Sequence, residues 1–207
     1  DNLLDFGILL NISPDHIDHH GSFNNYLNAK NRILEANKSI TENSPFEIFK
    51  IITGNNYQGS IQLQDLINLP HRLEKIIINN RAVIINDSKS TNTDSLKYAL
   101  SKVSDDSSLH LILMGNPDKE RYDSFLLSKP QYLYICGKHA EQLSNKIDHH
   151  NKSIFQSLED TLKHIHHNFS GKVEILFSPG NPSGRDYKNF EERGEHFLIL
   201  AQEIFND

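Results

Sequence analysis

Apolar and polar positions alternate along this chain in short blocks, and the blocks change character near residue 70. Before that point, Phe6 to Ile12 (FGILLNI) is a nearly continuous apolar run of strand length and reads as a buried strand. Ser22 then stands where a helix N-cap would, able to accept from the free N–H groups of a first turn. Phe23, Tyr26, Leu27 and Leu34 recur at the spacing of one helical face, which predicts a helix from Ser22 to about Asn37. Lys38 to Leu69 is polar and weakly patterned; within it Phe46 to Thr53 reads as a strand and Gly54, Asn55 and Asn56 as a turn.

After Pro70 the pattern is regular. Two β-branched runs, Glu74 to Ile78 and Ala82 to Ile85, flank Asn79-Asn80 and predict a hairpin. A helix carrying Leu96, Ala99, Leu100 and Val103 follows, then a strand from Leu109 to Met114 and a short helix near Tyr122 to Leu127. Next come a strand from Tyr132 to Cys136, a helix from His139 to Ile147 and a short strand from Ser153 to Phe155. Ser157 and Asp160 form a capping-box-like start for a helix with Leu158, Leu162 and Ile165. Strand Val173 to Phe177 leads to a last helix whose stripe is Phe190, Gly194, Phe197, Ala201 and Ile204. Strands alternating with helices predict an α/β fold, a mostly parallel sheet covered on both faces. The boundary falls near Leu69 to Arg72, giving domains 1–70 and 71–207.

Composition narrows the function. The 207 residues, 37% hydrophobic and 23% charged, can bury a core, and a net charge of −6 argues against a general nucleic-acid binder. Cys136, the single cysteine, sits in the apolar run YLYIC and reads as a buried thiol. No internal disulfide is available, which fits a reducing cytoplasm. No apolar run approaches the roughly 18 residues of a membrane span, and no signal peptide is visible. The chain begins at Asp1 and has Met114 as its one methionine, so it is expected to be part of a longer protein.

Four stretches carry candidate chemistry. Asp15, His16, Asp18, His19 and His20 crowd two carboxylates and three imidazoles ahead of the first helix. They read either as ligands for a hard cation or zinc, the basis of a metal-dependent hydrolase, or as a polar helix-entry loop. Lys30 falls on the helix's apolar face. Burial there would lower its pKa and leave a reactive amine, whereas a lysine that snorkels along its stem keeps its charge in water. The loop NDSKSTN, Asn86 to Asn92, lies between a strand and a helix, where backbone amides and Lys89 can meet an anion. Ser178 to Arg185 is a second strand-to-helix loop, and Lys119 would lie near both. The histidines at 149, 150, 164, 166 and 167 read as surface residues.

These motifs resemble the C-terminal half of the cytoplasmic Mur ligases, within them the branch that adds D-glutamate. The matching segments are NISPDHIDHHGSFNNYLNAK (11–30), LPHRLE (69–74), INDSKSTN (85–92) and SPGNPSGRDYKNFEERG (178–194). The resemblance implies a piece of a P-loop-type α/β central ATPase domain followed by a Rossmann-like C-terminal domain. It implies ATP-driven peptide-bond formation between UDP-N-acetylmuramoyl-L-alanine and D-glutamate in peptidoglycan synthesis, through an acyl phosphate, by a cytoplasmic monomer. His16 and Lys30, the latter as a carbamate, would hold Mg2+. His71, Arg72, Asp87 and Lys89 would meet ATP, with Lys89 at the reacting phosphates. Thr91 and Lys119 would hold the side-chain carboxylate of D-glutamate, and Ser183 with the Phe190 backbone its α-carboxylate.

The departures are specific. No G-x-x-x-x-G-K-[ST] loop occurs; Gly137-Lys138 and Gly171-Lys172 lack its frame. The family's histidine-asparagine segment is absent or reduced to Gly54-Asn55-Asn56-Tyr57, GNPDK with Asn116 replaces a glycine-rich form near Lys119, and SPGNPSG replaces a more alanine-rich loop. A triphosphate without its cradle loop lacks much of its electrostatic stabilisation, so the chain alone is expected not to turn over. A degenerate, non-catalytic binding module of the same fold is the further alternative.

Overall fold

A computed structural model describes residues 4–12, 17–54, 69–103, 108–119 and 129–206. The backbone contacts divide the chain into two compact units, Asp1–Asn68 and Leu69–Asp207.

In the first unit, β1 (Phe6–Ile8) pairs in parallel with β2 (Lys38–Ile40), Gly7 opposite Ser39. Between them run α1 (Ile17–His20), α2 (Phe23–Asn31) and a 3-10 turn, Arg32–Glu35. Ser22 caps α2 as its sequence predicts, its side chain accepting from the Asn25 N–H at 3.2 Å. The α-helix stops six residues short of Asn37, because the 3-10 turn tightens the chain against β1. A Cβ on Gly7 would lie 1.8 Å from the Ile33 carbonyl oxygen, so this approach requires glycine. The strand expected at Phe46 to Thr53 is instead helix α3 (Pro45–Thr53). Ser44 caps it by accepting from Glu47 N–H at 3.4 Å, and Pro45 occupies the first turn, where its missing N–H costs nothing. The expected turn at Asn55 and Asn56 lies outside the described residues. Among those described, the buried apolar side chains of this unit are Tyr26 and Ile40, and Leu10, Ile51 and Ile52 are exposed.

The second unit is a six-stranded sheet of order β3-β4-β8-β5-β6-β7. The strands are β3 (Glu74–Ile77), β4 (Ala82–Asn86), β5 (Leu109–Met114), β6 (Tyr132–Cys136), β7 (Lys152–Phe155) and β8 (Val173–Phe177). Only β3 is antiparallel to its neighbour, through the Asn79-Asn80 hairpin. Asn79 Oδ1 closes that turn by accepting from Arg81 and Ala82 N–H groups at 2.7 and 3.0 Å. The helices are α4 (Thr93–Lys102), α5 (Ala140–Ser144), α6 (Leu158–Asn168) and α7 (Phe190–Phe205). The helix expected at Tyr122 to Leu127 falls outside the described residues.

The two faces have separate cores. One packs α4 and α5 on Leu111, Leu113, Leu133, Ile135 and Leu176; the other packs α6 and α7 on Ile84, Ile112, Tyr134, Ile175 and Phe177. The chain steps from β4 to β5 to β6 to β7 beneath α4 and α5, then returns to the centre through α6. Right-handed crossovers demand this segregation, because reversing direction across the sheet moves the helix to the opposite face. β8 therefore enters last and pairs with both β4 and β5.

Three histidine expectations need correction, the first at His166, which is half-buried with its ring edge-on to Phe205. His149 is buried, its Nε2 2.9 Å from the Pro130 carbonyl oxygen, and His164 is half-buried beside Phe155 and Tyr134. For His149 the backbone acceptor and stacking on His150 compensate the lost water; for His164 the Asn168 side-chain amide does, donating to its Nδ1 at 3.2 Å. The core makes a simple prediction. Leu162→Ala, at a position with no exposure, should cost about 2–5 kcal/mol in urea unfolding, whereas Ile199→Ala, on the exposed side of α7, should stay within about 0.5 kcal/mol.

Candidate functional site

The carboxyl edge of the second unit gathers most of the sequence-selected residues. Open parallel sheets bind ligands where neighbouring strands send their connections to opposite faces. Here β4 leads to α4 on one face, while β8, beside it, leads to α7 on the other. The loops 87–92 and 178–189 flank that switch point.

Asn86, the last residue of β4, is fully buried and organises its surroundings. Its side-chain N–H2 lies 2.9 Å from His71 Nδ1 and 3.2 Å from Glu74 Oε2; since an amide nitrogen only donates, His71 Nδ1 accepts. Its Oδ1 accepts from Ser88 N–H at 3.2 Å. His71 holds a left-handed backbone, φ 62°, and is paid back by Glu74, which accepts from its N–H at 3.0 Å. Helix α7 passes so closely that a Cβ on Gly194 would sit 2.3 Å from His71 Nδ1.

Asp87 is 8% exposed, and both carboxylate oxygens are engaged: Oδ1 by Leu73 N–H at 3.2 Å and Oδ2 by the Ser178 hydroxyl at 2.7 Å. Burial dominates and pushes its carboxyl up to about 6, although these hydrogen bonds and the Arg72 charge pull the other way. Lys89 is half-buried, with its N–H bonded to the His71 carbonyl at 3.0 Å and its ammonium 3.7 Å from the centre of the Phe190 ring. That cation–π contact joins a loop-87 residue to the first turn of α7. Ser88 reinforces it by donating its hydroxyl to the Phe190 carbonyl at 2.8 Å. Thr91 is half-buried ahead of α4, whose N-cap Asn92 accepts from Ser95 N–H at 2.9 Å. Ser183 is 9% exposed and Arg72 is exposed.

One participant was not singled out from sequence. Arg193, on α7, has no exposed surface. It donates through Nε to the Ser88 hydroxyl (3.1 Å), through one terminal nitrogen to the Ser88 carbonyl (2.7 Å) and through the other to the Asn181 carbonyl (3.1 Å). Its signal was helical register: it lies three residues after Phe190 and four before Phe197, on the apolar stripe.

The remaining candidates lie elsewhere. Lys119 ends a 3-10 turn, Pro117–Lys119, after β5, and its side chain lies outside the described atoms. His16, with Asp15, also lies outside the described residues. Lys30 is exposed in α2, its ammonium 5.5 Å from the Tyr26 ring, at the margin of a cavity of about 580 Å³ lined also by Leu9, Leu10 and Ile33. Of the two readings the sequence left open, snorkelling is what this geometry shows; Tyr26, one turn earlier on the same face, is the residue that is buried. Among the described residues no three His, Cys, Asp or Glu side chains converge as a metal site. Cys136 is buried as expected, its thiol pushed up to about 12 by burial, and is chemically inert.

A family model described as the Mur ligase middle domain matches residues 3–117. The chain belongs to the Mur ligase family. That match runs past the first unit into β5. Among curated Mur ligases, the UDP-N-acetylmuramoylalanine–D-glutamate ligase of Buchnera aphidicola subsp. Baizongia pistaciae is 33% identical over 147 residues, 70% of this chain and 33% of that protein. The enzyme of the same name from Pseudothermotoga lettingae is 26% identical over 260 aligned positions, 96% of this chain and 60% of that protein. The alignment is longer than the 207 residues here, so that relative carries segments this chain lacks. The chain thus spans between one third and three fifths of these Mur ligases. The crystal structure of the MurF ligase from Thermotoga maritima in complex with ADP superposes with a TM-score of 0.63 at 12% identity, covering 96% of this chain and 62% of that one. It shows the shared α/β fold.

Asp87 supplies a pH prediction. Unfolded, it titrates near 4; folded, at about 6. Between these values the native state holds more protons, so its contribution to stability is full below pH 4 and is lost as pH rises through 6, by up to about 3 kcal/mol. Urea titrations of the wild type and Asp87→Asn should therefore diverge across that window, the variant gaining relative stability as pH rises; parallel curves would contradict the assignment. Gly194→Ala should destabilise by about 1–3 kcal/mol through displacement of His71, read in the same assay.

Proposed function

We propose that this chain carries the amino-acid- and nucleotide-contacting part of an ATP-dependent ligase that joins D-glutamate to UDP-N-acetylmuramoyl-L-alanine in cytoplasmic peptidoglycan synthesis. The observation that carries the reading is the Lys89–Phe190 contact at the switch point, in a chain of the Mur ligase family whose curated relatives bear the D-glutamate ligase name. On this reading residues 1–70 belong to the family's central ATPase domain and residues 71–207 form its Rossmann-like C-terminal domain. The division of contacts between Asn68 and Leu69 supports it.

The chemistry is two displacements. The carboxylate of the acceptor attacks the terminal phosphorus of ATP, releasing ADP and leaving an acyl phosphate. The D-glutamate amine then attacks the acyl carbon, phosphate leaves, and the amine gives up a proton. Lys89 places a cation beside the phosphate that transfers and then departs. His71, Arg72 and Asp87 approach the nucleotide, Asp87 with the acceptor capacity its two hydrogen bonds leave. Thr91 and Lys119 take the side-chain carboxylate of D-glutamate, and Ser183 with the Phe190 backbone takes the α-carboxylate. Fixing the amine against the acyl phosphate contributes several kcal/mol through proximity. Among the described residues no helix is long and apolar enough to cross a membrane.

Isothermal titration of the full chain tests this. D-glutamate should bind, with L-glutamate at least about tenfold weaker, a difference of 1.4 kcal/mol. Lys89→Met should weaken ATP by roughly 10- to 100-fold through loss of a charge-assisted contact. Absence of binding by either ligand at millimolar concentration would favour a degenerate binding module. Stoichiometric zinc with esterase activity would favour a hydrolase.

A further inference from the structure

Arg193 is a full charge without exposed surface; its three hydrogen bonds go to two backbone carbonyls and one hydroxyl, and the Asp186 carboxylate acts on it through space without a hydrogen bond. Carbonyl dipoles satisfy its N–H groups but do not cancel its charge. Burial accordingly lowers its pKa to about 10, still well above neutrality, so the group stays cationic. The carbonyls it holds belong to different loops, Ser88 after β4 and Asn181 after β8. A third loop, after β5, also closes on it. A Cβ on Gly115, φ 106°, would meet the Pro182 carbonyl oxygen at 2.1 Å and an Arg193 terminal nitrogen at 3.2 Å.

We propose that Arg193 is the positioning residue of this edge: its fork fixes the Ser88 and Asn181 backbones in one register, next to the loop residue Lys89, so that an anionic ligand binds across both loops. The identity of that ligand, D-glutamate, rests on the ligase reading; the joining of the loops does not. A lysine at this position keeps the charge but loses the planar fork that reaches two loops at once.

The test uses the full chain with Arg193→Lys and Arg193→Met. Amide hydrogen exchange should rise about tenfold or more at Lys89, Ser90 and Asn116, whose N–H groups bond to His71, Asp87 and Pro182 carbonyls, while β5 and β6 keep wild-type rates. D-glutamate affinity should fall about tenfold in Arg193→Lys and further in Arg193→Met, read well below the thermal midpoint of each variant. Should Arg193→Met fail to fold, Ser88→Ala, which removes only the hydroxyl between Arg193 and Phe190, should open the same amides to a smaller degree. Exchange that rises evenly through the sheet, or not at all in the two loops, overturns the proposal. So does loop opening with D-glutamate affinity unchanged. Wild-type protein that binds no D-glutamate sinks the ligase reading, and the exchange measurement then decides the role of Arg193 by itself.

Discussion

The second unit depends on the insertion of β8 between β4 and β5. That strand is hydrogen-bonded along both edges, and Ile175, Leu176 and Phe177 have no exposed surface. Its side chains alternate between the two cores, Leu176 into one and Ile175 and Phe177 into the other. A slip of one residue would exchange these faces and empty both cores of their central contacts. The same pairing fixes where the loops lie: Asn86 stands opposite Phe177, so the chain leaves both strands at one level and turns to opposite faces.

What fills the crevice so formed is polar, and it is nearly saturated. Asn86, Asp87, Ser88, Asn181 and Arg193 are all buried and all hydrogen-bonded. Unmade hydrogen bonds at such depth would each cost about 1–3 kcal/mol, so the arrangement admits few alternatives. Rigidity here has a chemical use, since groups that stabilise developing charge act best when they need no reorganisation.

Much of this was legible in the sequence because the second unit buries both faces of its sheet. Its strands are then continuous apolar runs and its helices carry clean stripes, and the hairpin at Asn79-Asn80 announces itself. The first unit gave a poorer reading for a physical reason. Phe46 to Thr53, PFEIFKIIT from Pro45, is apolar almost throughout, so periodicity could not separate strand from helix; Ser44 and Pro45, the capping residues, held the answer. Register reasoning also worked unevenly. It placed Lys30 on an apolar face where Tyr26 is buried but Lys30 itself is exposed, and the same reasoning applied to α7 would have found Arg193, which is buried. A stripe becomes a buried face only where something packs over it, and α7 has a sheet beneath it whereas α2 has little. His16 and Lys119 were selected by motif, and neither side chain lies among the described atoms, so this part of the site rests on sequence.

The place of β8 also shapes how the molecule is made. The strand at the middle of the sheet is the last of its six to leave the ribosome. Until residues 173–177 emerge, β4 and β5 are separate fragments, each with an unpaired apolar edge. Such edges are templates for pairing with other chains. Closing the sheet requires contacts across more than ninety residues, from Ala82 to Val173, a topology that slows folding because loop entropy is lost before those contacts form. The nascent protein therefore passes through a stage in which the apolar edges of β4 and β5 await their shared partner.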